Sequence, residues 1–238
     1  MAFTPFLAMT AAEMGNYSDI SEHIAWMACH FSPYRLGLSN LPNTLKEGSL
    51  LIVDDITPPC GHDQILIAQQ LSQTVTRFQC CGVLLDFQRK DWAESFRLAE
   101  YLSHTLPCPT IVSEHYASEL DCSVLLSPPP PSVLLKDYVQ PWSEREIWLE
   151  IGLEAECLTL TETGCHVAAA PRPLCTEPIF SDGNLHCHYS VHTDKKSASF
   201  TLWRTWDDWI ALLSEAETLG ISSAIGLYQE LWELFPIK

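Results

Sequence analysis

Residues 81–88 read Cys-Gly-Val-Leu-Leu-Asp-Phe-Gln, and this stretch decides the fold. A short apolar run that ends at Leu85 is followed by an acid, Asp86, and then by an amide, Gln88. Such a run followed by polar residues is typical of a buried parallel strand as it leaves a sheet. In α/β folds, the side chains just past the carboxyl end of a strand face the ligand site. The stretch therefore predicts a strand that carries a functional site.

The composition favours one substantial α/β core and opposes several classes of partner. The chain has 238 residues, of which 47% are hydrophobic and 18% charged, and α/β barrels commonly form one domain at this length. A formal net charge of −17 disfavours binding to nucleic acid or to anionic membrane surfaces. No apolar stretch reaches the roughly 20 residues that a membrane helix needs. We therefore expect neither nucleic acid nor a membrane as a partner.

The N-terminal residues and the cysteines together predict a cytoplasmic protein. The first residues lack the basic region and the long apolar core of a secretory signal. There are ten cysteines, several of them inside apolar runs, as at Cys80, Cys81 and Cys122. Buried, reduced thiols are the expected state of such residues when no export signal is present, although counting cysteines leaves a disulfide framework open.

Short apolar runs separated by helical patterns predict an α/β fold, a (β/α)8 TIM-like barrel. The predicted strands are Pro5–Thr10, Ile24–His30, Ser49–Ile56, Cys81–Phe87, Pro109–Ser113, Ser123–Ser127, Glu146–Ile151 and Ala224–Tyr228. The second of these is ambiguous, because residues 21–27 also fit a helix. The predicted helices are Asp63–Val75, Asp91–Leu106 and Trp206–Leu219, the last of them closed by Gly220.

Residues 157–205 break the alternation of strands and helices. Residues 157–169 alternate between apolar and polar types around a Thr-Gly turn, and residues 185–205 alternate around a polar turn at 192–197. This pattern is typical of antiparallel hairpins. We predict a β-hairpin insertion over 157–205, before the last barrel strand, within a single barrel domain that spans residues 1–238.

The 81–88 stretch resembles the signature strand of the family 18 glycoside hydrolases, the chitinase-like barrels, which reads D-G-x-D-x-D-x-E. The chain matches that signature at two positions and departs from it at three, namely Gly82 and Asp86 against Cys81, Leu84 and Gln88. The layout is also similar, because these barrels often carry a small antiparallel insertion before their last strand. They also close with a helix, a glycine turn and a strand, as the final segment of this chain does.

The resemblance implies a sugar ligand, and the altered motif implies a loss of chemistry. In the family, the acetamide of the substrate attacks the anomeric carbon while a glutamic acid protonates the leaving oxygen. Gln88 stands at the position of that glutamate, and an amide has no carboxyl proton to give. We therefore expect non-catalytic binding of an oligosaccharide or glycopeptide, with no cofactor.

The candidate ligand-binding residues lie at or near the carboxyl ends of strands: Asp86, Gln88, Glu114, Tyr228 and Glu230. Asp86 and Gln88 alternate on one strand and would both point into the barrel mouth, although Asp86 also suits a helix cap. Tyr228 stands about where the family usually places a sugar-stacking tryptophan. An aromatic face beside an acid such as Glu230 suits a sugar, which offers a C–H face and hydroxyl groups.

Two other functions remain open at this point. An active glycoside hydrolase could draw its acid pair from Asp86, Glu114 and Asp54, since such an enzyme needs two suitably spaced carboxyl groups. A scaffold or interaction protein would need no ligand, and its mouth would be closed by large side chains such as Phe87, Trp148 and Tyr228.

No motif predicts a metal or a nucleotide cofactor. His186, His188 and His192 lie close together in the sequence, and Cys60 and His62 form another pair. A metal site needs three or four converging ligands, and no C-x-x-C pair accompanies these residues. The glycine-rich nucleotide loops, the G-x-S-x-G elbow and the H-E-x-x-H motif do not occur.

Overall fold

The computed structural model describes residues 5–16, 23–34, 36–59, 61, 63–89, 93–153, 155–173 and 178–231. The chain divides into two compact units. The barrel unit comprises Thr4–Ser127, Glu144–Glu150 and Ser223–Lys238, and the hairpin unit comprises Met1–Phe3, Pro128–Ser143 and Ile151–Ser222. The single domain over residues 1–238 stays a prediction. Within the described ranges, no helix is both long enough and apolar enough to cross a membrane.

Eight parallel strands close into a barrel, which confirms the predicted fold class. They are β1 (Phe6–Met9), β2 (Ile24–Phe31), β4 (Leu50–Asp54), β5 (Gly82–Asp86), β6 (Thr110–Ser113), β7 (Ser123–Leu126), β8 (Ile147–Ile151) and β14 (Ser223–Leu227). β1 pairs with β14 on one side and with β2 on the other, and this double pairing closes the sheet. Each of the eight predicted runs corresponds to one of these strands, and the ambiguous second run is a strand.

Helices alternate with the barrel strands, and a short strand, β3 (Leu38–Ser39), adds an antiparallel neighbour to β2. The helices of the barrel unit are α1 (Ala11–Asn16), α2 (Gln64–Phe78), α3 (Ala93–Thr105), α4 (Glu114–Ala117) and α7 (Tyr228–Leu231). The Asp63 carboxylate caps α2 by accepting hydrogen bonds from two backbone N–H groups of its first turn, and Gln79 ends the helix in the left-handed conformation. α3 lies within the predicted helix, of which residues 91 and 92 are outside the described residues.

Alternate residues of the barrel strands fill the interior with apolar side chains. The interior cluster comprises Phe6, Ala8, Ala25, Leu50, Ile52, Leu84, Ile111, Trp148 and Ile225. Successive side chains of a strand point to opposite faces, so the next inward positions after Ile52 and Leu84 are Asp54 and Asp86. Gly82 is the inward-facing position of β5 that precedes Leu84, and a Cβ atom there would lie only 3.1 Å from the Ile111 side chain. The packing of the core thus decides which polar residues face the barrel mouth.

The hairpin unit contains a five-stranded antiparallel sheet, which confirms the predicted insertion before the last barrel strand. Its strands are β9 (Ala155–Thr161), β10 (Gly164–Ala170), β11 (Phe180–Asp182), β12 (Cys187–Thr193) and β13 (Ser197–Trp203), in the order β10-β9-β13-β12-β11. The unit also holds α5 (Leu135–Val139), a 3₁₀ turn (Gln140–Trp142) and α6 (Trp206–Thr218). Thr205 and Asp208 form a capping box at the start of α6, and Gly220 follows it with a φ of 82°.

A buried arginine holds the tetraproline loop of the hairpin unit. Arg204 is only 3% exposed, and its guanidinium lies 5.4 Å from the ring centroid of Trp209. It donates hydrogen bonds to four backbone carbonyl groups, those of Pro129, Pro130, Leu185 and His186. The planar fork of an arginine suits several acceptors at once, so one side chain fixes both the 128–131 loop and the start of β12.

Candidate functional site

A cavity of about 230 Å³ opens at the carboxyl ends of the barrel strands. Its floor is apolar and is formed by inward residues such as Ile52, Leu84 and Ile225. Its polar wall comprises Asp54, Asp86, Gln88, Ser113, Glu114, His115, Ser127 and Glu150. In α/β barrels this face hosts the ligand site, so the cavity is the candidate functional site, named here the mouth cavity.

Three of the predicted ligand-binding residues line the mouth cavity together. Asp86 is the last residue of β5, Gln88 follows two residues later, and Glu114 begins α4 after β6. The side-chain amide of Gln88 donates a hydrogen bond to Asp86 Oδ1, so the two residues form one polar unit. Burial raises the pKa of Asp86, and the charges of Asp54 and Asp55 add to this effect while the Gln88 hydrogen bond opposes it.

Asp54 is the direct neighbour of Asp86 across the barrel sheet. The two residues are paired in register between β4 and β5, and neighbouring strands lie about 4.8 Å apart. Burial also raises the pKa of Asp54, against the lowering effects of the Ile56 backbone N–H and of His30. The wall of the cavity therefore holds two adjacent carboxyl groups whose ionisation is less favourable than it is in water.

Asp55, the residue after Asp54, has a structural position and faces away from the cavity. It is 2% exposed, and its carboxylate accepts hydrogen bonds from Gln88 N at 2.9 Å and Arg89 N at 3.4 Å. Ser95 Oγ of α3 donates to the same carboxylate at 3.3 Å. Asp55 thus ties the end of β4 to the loop that carries Gln88.

The rest of the polar wall lies at the ends of β6, β7 and β8. Glu114 accepts a hydrogen bond from Ser127 Oγ at 3.3 Å, and Ser113 Oγ donates to the Phe87 carbonyl oxygen at the same distance. Glu150 of β8 also lines the cavity, as does the exposed His115. Neither was among the predicted site residues. For Glu150 the signal was available, because Trp148 points into the barrel and Glu150 is the next residue on that face.

Tyr228 and Glu230, the other two predicted ligand-binding residues, do not line the mouth cavity. β14 ends at Leu227, and Tyr228 begins α7, where it is 6% exposed. Glu230 follows on the same helix and is half-buried. The structure therefore brings together Asp86, Gln88 and Glu114 and leaves Tyr228 and Glu230 apart from them.

The large side chains that could have closed the mouth lie elsewhere. Phe87 packs on the outer face of the barrel, with its ring 5.7 Å from that of Phe31 and 5.9 Å from that of Tyr116. Trp148 belongs to the interior cluster, where its ring lies 5.3 Å from that of Phe6. The mouth consequently keeps an open cavity.

Two histidines of the hairpin unit contact carboxylates. His186 Nε2 lies 2.8 Å from Glu215, and His188 Nδ1 lies 2.7 Å from Asp208. Across the described part of the chain, no three histidine, cysteine or acidic residues are placed to hold a metal ion. Cys60 and His62, the other pair considered, are outside the described residues.

Comparisons with known proteins place this architecture among chitinase-like barrels. No protein-family model and no curated sequence matches the chain. Among solved structures, the spore cortex-lytic enzyme SleL of Bacillus cereus matches over 99% of this chain and 75% of its own, with a TM-score of 0.56 and 12% identity. A family 18 N-acetylglucosaminidase of Paenibacillus barengoltzii matches over 94% of both chains, with a TM-score of 0.58 and 10% identity.

A third similar structure contains a sugar. A mutant family 18 chitinase of Cycas revoluta, in complex with (GlcNAc)4, matches over 93% of this chain and 94% of its own, with a TM-score of 0.56 and 11% identity. The chain has the fold of the family 18 glycoside hydrolases. Identities this low show the fold alone. The function of this protein therefore depends on the residues of its own mouth cavity.

Proposed function

We propose that the protein is a non-catalytic barrel that binds an oligosaccharide or glycopeptide in the mouth cavity. The main observation in favour of this proposal is the position of Gln88. It lines the cavity at the position where the family signature has its glutamate, and its amide is hydrogen-bonded to Asp86. An amide can donate and accept hydrogen bonds but cannot act as a general acid. The site thus retains groups for recognition and lacks the proton donor for cleavage.

The shape and lining of the cavity support a sugar ligand. Its volume of about 230 Å³ is slightly below the roughly 300–1,000 Å³ of typical ligand pockets, which suits one sugar residue held at the mouth. Carboxylates, an amide and hydroxyl groups offer the hydrogen-bond partners that sugar hydroxyls need when they leave water. The Cycas revoluta chitinase that was solved with (GlcNAc)4 carries a glutamate-to-glutamine substitution, so a barrel of this fold holds sugar with such a change.

A second candidate is an active glycoside hydrolase that uses another acid pair. The raised pKa values of Asp54 and Asp86 favour it, because a carboxyl group that holds its proton to higher pH than usual is better suited to act as a general acid. Glu114, which begins α4 directly after the neighbouring strand β6, would supply the second carboxylate. A scaffold function without a ligand is less well supported, since Phe87, Trp148 and Tyr228 leave the mouth open.

Calorimetric titration with a panel of neutral oligosaccharides tests the binding function. We expect a saturable heat for at least one member of the panel and about tenfold weaker binding for Asp86→Ala, because a hydrogen-bonded carboxylate contributes roughly a factor of ten or more. Glu217→Ala is a suitable control, since Glu217 is an exposed acid of α6 that does not line the cavity. Binding that is unchanged in Asp86→Ala contradicts the assigned site, and the absence of any binding favours the scaffold function.

We further propose that the protein works in a reducing compartment, the cytoplasm. Eight described cysteines are free, and burial raises the pKa of several of their thiols, to about 12 for Cys29 and about 11 for Cys187. Such thiols ionise poorly and react slowly. We expect titration of the denatured, unreduced protein to find all ten thiols. A yield far below ten indicates native disulfides and an oxidising compartment.

A further inference from the structure

We propose that the mouth cavity selects glycans with free, protonated amino groups over neutral and anionic glycans. This selectivity rests on the proposed sugar-binding function and specifies its ligand. The acidic groups do not define the site, which is the cavity at the carboxyl ends of the barrel strands. They determine which sugar the cavity prefers.

The charges that line the cavity are of one sign. Among the described residues that line it, four are acids, namely Asp54, Asp86, Glu114 and Glu150, and none is a lysine or an arginine. Asp55 lies directly behind Asp54 and adds a further carboxylate to the field at Asp86. With a net charge of −17 on the whole chain, a concave acidic site concentrates cations and repels anions. Sulfated or carboxylated glycans are therefore disfavoured.

Within the part of the chain that the structure describes, the positive groups near the cavity are fewer than these acids. Arg89 donates from its guanidinium to the Ile56 carbonyl oxygen at 3.3 Å and is not part of the lining. His30 is paired in register with Asp54, and its charge favours the ionised form of that carboxylate. His115 lines the cavity but is exposed to solvent. The described lining therefore carries more acidic than basic groups, and a cationic ligand can neutralise part of this negative charge.

The chemistry of carboxylates selects an ammonium group in particular. An ionised carboxylate only accepts hydrogen bonds, whereas an ammonium group has three donors and carries the compensating charge. A neutral acetamide in the same place would leave Asp54 and Asp86 as adjacent, uncompensated charges above an apolar floor, an arrangement that is costly. A primary amine on the sugar removes this cost, so replacing acetamide by amine strengthens binding here.

The experiment compares three oligosaccharides, of which two are tetramers that differ only in N-acetylation. Calorimetry with a glucosamine tetramer, an N-acetylglucosamine tetramer and a sulfated oligosaccharide is run at about pH 6, where an amine of ordinary α-amino pKa is protonated. We expect the glucosamine tetramer to bind at least about tenfold more tightly than its acetylated counterpart and the sulfated one not to bind. The advantage shrinks as salt is added, because screening weakens the attraction.

Variants identify the residues responsible. In Asp54→Asn, the advantage of the glucosamine tetramer should fall several-fold, whereas Glu217→Gln removes the same charge outside the cavity and should keep it. The advantage should also fall as the pH drops through the raised pKa values of Asp54 and Asp86, since protonated carboxyl groups no longer attract a cation. An advantage that Asp54→Asn keeps in full overturns the inference.

The same titrations also distinguish a failure of the amine selectivity from a failure of sugar binding. If both tetramers bind equally, or if the acetylated one binds more tightly, the selectivity is refuted while sugar binding stands. If neither tetramer binds and the neutral panel gives no heat either, the sugar-binding function fails and the inference fails with it.

Discussion

The unmodified protein is expected to release no product from N-acetylated chitooligosaccharides under conditions in which a family 18 chitinase hydrolyses them completely. Loss of general acid catalysis alone costs about 10²–10⁴-fold in rate. Gln88 has no acidic proton to transfer, and its side-chain amide donates a hydrogen bond to Asp86 in the mouth cavity. Mass spectrometry of tetrasaccharide digests after long incubation, with the chitinase as a positive control, measures the deficit.

Four variants show which residue acts if turnover is found. Activity that survives Gln88→Ala contradicts the assignment of Gln88 to the reacting centre. Activity that is lost in Glu114→Gln or in Asp54→Asn identifies the alternative acid pair of an active hydrolase. Gln88→Glu introduces a carboxyl group beside Asp86. A gain of turnover in this variant would confirm that residue 88 occupies the position of the family's catalytic glutamate.

We expect that gain to stay well below the activity of the family, because of Leu84. The family signature has a carboxylate at this position, whereas here Leu84 is 3% exposed and belongs to the interior apolar cluster. The floor of the cavity is therefore apolar where a substrate acetamide would need a polar partner. One substitution at Gln88 restores the proton donor and leaves this second defect in place.

The barrel could be predicted from the sequence because its strands are buried on both faces. Such strands are nearly continuous apolar runs that end abruptly at polar residues, as Leu50–Asp54 and Gly82–Asp86 do. The hairpins gave the opposite signal, since strands with one solvated face alternate in polarity. The short elements β3 and β11 and the one-turn helix α4 were not predicted, because elements of two to four residues are too short to show a period.

The site was only partly predictable because it depends on which face each strand residue occupies. Asp54 and Asp55 are equivalent in the sequence, yet the parity set by Leu50 and Ile52 sends Asp54 into the mouth and Asp55 behind the wall. Tyr228 was predicted to face the mouth as a strand residue. Instead β14 ends one residue earlier, and Tyr228 begins a helix in a buried position.

Asp55→Ala is expected to lower the free energy of unfolding by about 2 kcal/mol, because the buried hydroxyl group of Ser95 loses its partner, and a buried donor left without its partner costs roughly 1–3 kcal/mol. The same carboxylate also accepts hydrogen bonds from the backbone N–H groups of Gln88 and Arg89, which are exposed residues and can turn to water in the variant. Sugar binding should weaken as well, since the loop that presents Gln88 loses its anchor. Urea unfolding and calorimetric titration measure the two effects.

The neighbouring aspartate provides the matched comparison. Asp54→Ala removes the same group one residue away. Among the described residues, the hydrogen bond that Asp54 accepts comes from the Ile56 N–H at 3.0 Å, and its raised pKa means that ionisation is less favourable in the fold than in the unfolded chain. At neutral pH the ionised Asp54 carboxylate therefore opposes folding, and its removal should change stability by less than about 1 kcal/mol. Sugar binding should nevertheless weaken in Asp54→Ala. A larger loss of stability in Asp54→Ala than in Asp55→Ala contradicts the division of roles in which Asp54 serves the ligand and Asp55 serves the fold.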